Sequence, residues 1–246
     1  MSGHSKWATI KHKKAATDAK KGKVFSKLAK EIMICARAGG GDPGANISLR
    51  TMLQKAKQVN MPSDNIDRAI KKGTGELQSA ALEEIMFEAY ASGGVGLIVQ
   101  CLSDNRNRTV AEVRHVITRC GGNLAGQGQV MRSFTRKGQI IIDATKIEED
   151  KLMELVLEAG ADDMQKEDDK FEVLTDPSKF NNVVEALSKA GIQMESSEVS
   201  LIPDTYTPVT DKDKAGTLVK FIEELEDLDD VQNVYTNADI DDSLLA

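Results

Sequence analysis

Aromatic residues are scarce in this 246-residue chain: one Trp, three Tyr and six Phe. So few rings exclude a surface that grips its partner by many stacked bases. Cysteine is equally thin. Cys35, Cys101 and Cys120 are widely spaced, sit in apolar contexts and form no C-x-x-C pair. That excludes a disulfide framework and a cysteine-based zinc or redox motif, and it leaves small buried hydrophobes in a reducing compartment. Long apolar runs are missing too. No stretch approaches the ~18 apolar residues of a membrane-spanning helix. The polar, lysine-rich start has no apolar segment of a secretory signal, and it is Lys-rich where a mitochondrial presequence is Arg-rich. A cytoplasmic protein without a membrane partner is the expectation.

Catalytic patterns are also absent. The three histidines lie far apart, with no H-E-x-x-H, and no G-x-S-x-G elbow occurs. The glycine-rich AGGGDPGAN at 38–46 lacks the G-x-x-x-x-G-K-[ST] spacing and follows an expected helix, so it reads as an interhelical loop and not a phosphate cradle. The acidic runs EELEDLDD (223–230) and DIDD (239–242) lack the alternation of a calcium loop and read as solvated acidic faces. KEDD (166–169) falls in an expected hairpin turn. No catalytic residue, metal site, cofactor or small-molecule substrate is expected, and the chain does not read as an enzyme.

What the chain has is charge sorted by position. Residues 1–75 hold 16 Lys/Arg against 5 Asp/Glu, a net of +11, whereas residues 76–246 hold 16 against 34, a net of −18. The pI near 5.2 is therefore an average over two unlike parts. The first 30 residues are the extreme: nine lysines and the single acid Asp18. Segregation of this kind points to a polyanionic partner, most simply nucleic acid, while the acidic remainder limits indiscriminate binding.

Periodicity divides the chain. Residues 1–22 show little helical pattern and read as a basic arm, with some helix around AATDAKK. Phe25, Leu28, Ile32 and Ala36 then fall on one helical face, stopped by Gly39–Gly41. Asn46 is an expected N-cap for a second helix with Leu49, Leu53, Ala56 and Val59 inward, and Ser63 for a third that Gly73 closes. Three short helices over 23–75 make a small bundle. Strands begin near residue 76: IMFEAYA (85–91) and VGLIVQCL (95–102) read as a hairpin across Gly93–Gly94. A helix follows, with Thr109 and Glu112 expected as its capping box. Residues 138–203 read strand, helix, strand, strand, helix, strand, the order of a ferredoxin-like unit. Pro203–Pro208 reads as a linker. The last helix, with Leu218, Phe221, Ile222, Leu225 and Leu228, and the strand VQNVY cannot fold alone. They are expected to return to the 85–102 sheet, which makes 138–203 an insertion in a discontinuous α/β domain of residues 76–137 and 204–246. The fold class is α+β: an N-terminal three-helix domain and two α/β domains, one ferredoxin-like and inserted in the other.

Candidate nucleic-acid contacts follow from the charge. In the arm they are His4, Lys6, Trp7, Lys11, His12, Lys13, Lys14, Lys20 and Lys21. The lysines serve as point-charge phosphate contacts, the histidines as hydrogen-bond donors, and Trp7 as a lone stacking anchor. Lys23, Lys27, Lys55, Lys71 and Lys72 extend the basic surface over the bundle. SDNRNRT adds Arg106 and Arg108 at a helix N-terminus, where the dipole disfavours cations. There they either serve a partner outside the helix or pair with nearby acids.

Three stretches carry a resemblance: GHSKWATIKHKK at 3–14, AGGGDPGANISLR with NMPSDNIDRAIKKGTGE after it, and LSDNRNRTVAEVRH at 102–115. Together, and with the later NVYTNADI, they resemble the YebC/PmpR family, which includes the mitochondrial translational activator of cytochrome c oxidase. The resemblance runs nearly end to end. It implies three domains, one inserted in another, and no cofactor or enzymatic activity. Bacterial members are described as probable DNA-binding transcriptional regulators, and members are also placed at the ribosome, where they help translation of difficult stretches such as consecutive prolines. Lys6, Trp7, Lys11, His12, Lys13 and Lys14 match the family's arm motif.

The leading expectation is a nucleic-acid-binding regulator of gene expression, of the DNA-binding transcriptional type. A ribosome- or ribosomal-RNA-associated translation factor is the alternative, since a mostly lysine surface favours backbone contact over base readout. A non-catalytic protein-interaction scaffold, docking through the acidic part, is the alternative of another class. A metal-dependent nuclease using the tail acids is the remaining possibility.

Overall fold

The computed structural model describes residues 18–167, 169–241 and 244. Among them the chain divides into two compact units. One is Met131–Tyr206, and the other runs up to Val130 and resumes at Thr207.

The larger unit begins with three helices: α1 (Asp18–Gly39), α2 (Ile47–Gln58) and α3 (Ser63–Thr74). The apolar periodicity sets their packing. Leu28, Ile32 and Met33 of α1 meet Leu49 and Ala56 of α2 and Ala69 of α3 in one buried cluster. Residues 18–22 of the expected arm are helical, as part of α1. Asn46 caps α2 as expected: its Oδ1 accepts the Leu49 N–H at 3.0 Å, and its amide donates to the carbonyls of Cys35 and Gly40. Three expectations are corrected. Val59 is an exposed C-cap and not a core residue. Ser63 is the first helical residue of α3 and makes no cap; Pro62 precedes it without a side-chain bond. Gly73 does not end α3. It is buried inside the helix, where a Cβ would stand 2.5 Å from the Met33 carbonyl oxygen, and Gly75 at φ +85° makes the stop. Glycine is at 73 for close approach of α1 and at 75 for left-handed backbone.

The same unit then builds a four-stranded sheet. β1 (Glu83–Tyr90) and β2 (Gly96–Ser103) form the expected antiparallel hairpin. α4 (Arg106–Arg119) follows, and the two-residue β3 (Asn123–Leu124) pairs with β1. The cap of α4 is Asn105, whose Oδ1 accepts the Arg108 N–H at 3.1 Å. Thr109 lies one turn inside and is buried, which overturns the expected Thr109–Glu112 box.

The chain leaves for the second unit. There β4 (Phe134–Asp143), α5 (Glu149–Glu158), β5 (Asp163–Glu167), β6 (Lys170–Thr175), α6 (Phe180–Lys189) and β7 (Met194–Pro203) follow in sequence. The strand order is β5-β6-β4-β7 and every neighbouring pair is antiparallel, a ferredoxin-like sheet. Ile140, Ile142, Phe171 and Val173 meet Leu152, Val156, Val183 and Leu187 of the two helices.

Returning, the chain forms β8 (Thr207–Val209), α7 (Lys212–Glu226), β9 (Val231–Thr236) and β10 (Ala238–Ile240). The expected Pro203–Pro208 linker is reduced to residues 204–206: β7 runs through Pro203, and β8, which pairs parallel with β10, starts at Thr207. β9 adds antiparallel to β2, completing the order β3-β1-β2-β9. Leu218, Phe221, Ile222 and Leu225 of α7 pack with Val113, Val116 and Ile117 of α4 against one face of that sheet. The architecture is α+β, a three-helix domain with two α/β modules, one ferredoxin-like and inserted in the other.

Candidate nucleic-acid interface

Of the candidate contacts, His4, Lys6, Trp7, Lys11, His12, Lys13 and Lys14 lie outside the described residues. Lys20 and Lys21 fall in the first turn of α1. The remaining candidates separate into two kinds.

The first kind is engaged within the molecule. Lys23, Lys27 and Lys30 recur at spacings of four and three and so share one face of α1. That face meets the C-terminal end of α7. Lys23 Nζ donates to the Asp227 carbonyl at 2.8 Å and Lys27 Nζ to the Glu226 carbonyl at 2.6 Å. Lys30 Nζ donates to the carbonyls of Leu102 at 3.0 Å and Asp229 at 2.9 Å. A helix end leaves its last carbonyls unsatisfied and carries partial negative charge, so a row of ammonium groups completes it.

Lys30 reaches further, to a carboxylate that sequence reading left on a solvated face. Asp230 is 3% exposed. Its Oδ1 accepts from Lys30 Nζ at 2.7 Å and its Oδ2 from Arg108 Nη2 at 2.7 Å. The hydroxyls of Thr109 and Ser103 lie 2.8 and 3.0 Å from Oδ2. Burial alone would raise this carboxyl; the hydrogen bonds from Lys30, Arg108 and Thr109 outweigh it and hold Asp230 well below the usual carboxylate range. Four elements, α1, β2, α4 and the turn before β9, are joined through one side chain. The only signal in the sequence was position: Asp230 ends an acidic run and immediately precedes an apolar strand.

The two arginines of SDNRNRT are placed by acids. Arg108 bridges Asp230 and Asp104, and these hydrogen bonds raise its already high pKa further. Arg106 pairs with Glu83 at 2.5 Å, with both side chains more than half exposed. An exposed pair of that kind contributes ~0–1 kcal/mol, so Arg106 can exchange its partner at little cost.

The second kind faces solvent. Lys57 sits in the last turn of α2, and Lys71 and the half-buried Lys72 in the last turn of α3; Lys55, also in the last turn of α2, is half-buried and engaged within the molecule. Arg37, Arg50 and Arg68, absent from the expected contacts, are exposed on α1, α2 and α3. Among the described residues, Arg37, Arg50, Lys57, Arg68, Lys71 and Lys72 form no ion pair. The signal that could have found Arg50 is the absence of acid around it, since 47–63 contains none.

Burial pushes Cys101 up to about 12 and raises Cys35, and Cys120 is raised by burial and by its hydrogen bond to Glu224. None is poised as a thiolate at neutral pH. Among the described residues no group of three or more His, Cys, Asp or Glu is placed to hold a metal ion, and no helix is long and apolar enough to cross a membrane.

With this geometry in view, the chain matches the TACO1/YebC protein N-terminal domain over residues 5–76 and the TACO1/YebC second and third domain over residues 82–238. The chain belongs to the TACO1/YebC family. Within that family it is 54% identical over 240 residues to a probable transcriptional regulatory protein of Geobacter sulfurreducens, covering 98% of this chain and 96% of the relative. It is 52% identical over 245 residues to one of Desulfatibacillum aliphaticivorans, covering 100% of this chain and 99% of that one. A crystal structure of a conserved hypothetical protein from Aquifex aeolicus superposes with a TM-score of 0.86 at 45% identity, over 96% of this chain and 98% of that one. The TACO1/YebC boundary between 76 and 82 coincides with the change from basic to acidic composition.

Proposed function

We propose that this chain is a nucleic-acid-binding regulator of gene expression, acting in the cytoplasm as a DNA-binding transcriptional regulatory protein without enzymatic activity. The observation that carries the reading is the unbalanced charge of the first 75 residues, 16 Lys/Arg against 5 Asp/Glu. Those cations of the bundle that form no ion pair among the described residues leave it a basic surface that the rest of the molecule does not neutralise. The names of the relatives, probable transcriptional regulatory proteins, support the same reading.

In this reading the arm supplies Lys6, Lys11, Lys13, Lys14, Lys20 and Lys21 to phosphates, with His4 and His12 donating hydrogen bonds and Trp7 stacking. Lys55, Lys71 and Lys72 continue the track over the bundle. Lys23, Lys27 and Arg108 hold the fold beneath it, and Arg106 is released from Glu83 when a phosphate is offered. Ribosomal RNA, with the ribosome as partner, is the second reading. It is favoured by the arm's composition: the first 30 residues contain lysine but no arginine, which suits backbone tracking on any polyanion.

The test is binding of a labelled duplex and sedimentation with ribosomes, wild type beside Lys11→Glu/Lys13→Glu/Lys14→Glu. The reading expects duplex binding that the triple variant weakens at least tenfold with an unchanged melting temperature. Duplex binding equal in the two proteins would remove the arm from the interface. Co-sedimentation with ribosomes, lost in the variant, with no duplex binding would move the function to translation.

A further inference from the structure

The arm and its lysines account for attachment to a polyanion, not for any choice of sequence. We infer that α2 is the element that enters the major groove of duplex DNA and reads base edges there. This rests on the DNA-binding reading above and names the surface that would carry its specificity.

Among the seven described helices, α2 alone has no acidic residue. Its twelve residues are ISLRTMLQKAKQ. Leu49 and Ala56 pack into the bundle core, with Met52 and Leu53 against it. At 100° per residue, Ile47, Arg50, Gln54, Lys57 and Gln58 then share the opposite side of the helix. All five are exposed. A solvated helix face in this protein ordinarily mixes signs: α5 and α7 both alternate Lys with Glu or Asp. The α2 face instead presents two cations, two carboxamides and one large apolar side chain.

That set matches what the major groove displays. Arg and Lys donate to guanine O6 and N7, Gln pairs with adenine N6 and N7, and an exposed aliphatic group meets the thymine methyl. Ile47 is 45% exposed and sits at the start of the helix. Recognition helices place such N-terminal residues against bases. At 1.5 Å per residue the helix is about 18 Å long, and a groove about 12 Å wide accepts its diameter. Asn46 fixes the entry angle by tying the helix start to the Cys35 and Gly40 carbonyls at the end of α1. The charge of the face is complementary to phosphate, and neither Arg50 nor Lys57 is drawn into an ion pair among the described residues.

The experiment is selection of bound duplexes from a randomised pool with the full-length chain, followed by titration of the selected and an unselected duplex. Variants Arg50→Ala, Gln54→Ala and Lys57→Ala are compared with Lys71→Ala/Lys72→Ala. A short enriched motif is expected. Arg50→Ala and Gln54→Ala each lose about 5- to 150-fold on the selected duplex and relax one position of the motif. The Lys71/Lys72 variant weakens both duplexes alike and lowers the salt slope. Unchanged circular dichroism keeps the α2 variants interpretable, because all three positions are exposed. Binding of duplex with no enriched motif, or a motif the α2 variants leave intact, overturns the inference while the DNA-binding reading stands. Absence of duplex binding, or preference for ribosomal RNA, overturns both.

Discussion

Asp230 shows how one buried side chain can tie two cations from different helices into the fold. With both oxygens occupied by Lys30, Arg108, Thr109 and Ser103, it fixes α1 to the sheet and binds two cations within the fold. Asp230→Asn leaves the two cations facing a neutral amide, and breaking a buried pair costs ~3 kcal/mol. The expected outcome is a lower denaturant midpoint with an unchanged slope, measured by urea unfolding. The pH dependence follows from the same geometry. Because the folded carboxyl lies below its unfolded value near ~3.9, its stabilising contribution is full above about pH 5 and is lost as pH falls toward and through the folded value. Stability measured between about pH 6 and pH 2 should therefore fall less steeply in Asp230→Asn than in the wild type. Equal slopes would remove Asp230 from the account. This residue was not legible in the sequence. Six of the eight residues 223–230 are acidic and look alike there, and only the return of β9 to β2 buries the last of them.

At the scale of elements, order was legible and boundaries were less so. Alternation and 3.6-residue periodicity report burial directly, and they placed the bundle, the hairpin and the strand–helix–strand–strand–helix–strand run of the inserted module. Caps and close contacts depend on partners distant in sequence. Gly73 reads as a helix stop until α1 is seen against it, and Thr109 reads as a cap until Asp230 claims its hydroxyl. Gly73→Ala should destabilise by ~1–3 kcal/mol, because its Cβ meets backbone and not a flexible side chain. A higher melting temperature in this variant, as helix propensity alone would give, would contradict the packing described for α1 and α3. Similarly, Asn105→Ala should cost ~1 kcal/mol, whereas Glu112→Ala should cost almost nothing. A reversed order in thermal denaturation would restore the capping box at Thr109 and Glu112.

For the whole molecule, charge is the feature that connects sequence to function. Its segregation was visible without a structure. Its division into fold-holding and outward-facing cations was not, because Lys23 and Lys71 are indistinguishable until α7 is seen beside one of them. In that division Lys23, Lys27 and Arg108 make bonds within the fold, while Arg37, Arg50, Lys57 and Arg68 are exposed. The most direct test of the central claim is the salt dependence of duplex binding by the full-length chain. With about six lysines on phosphates, log K should fall with log salt at a slope near −5. A slope near zero, at any affinity, would contradict the basic N-terminal part as a phosphate-binding surface.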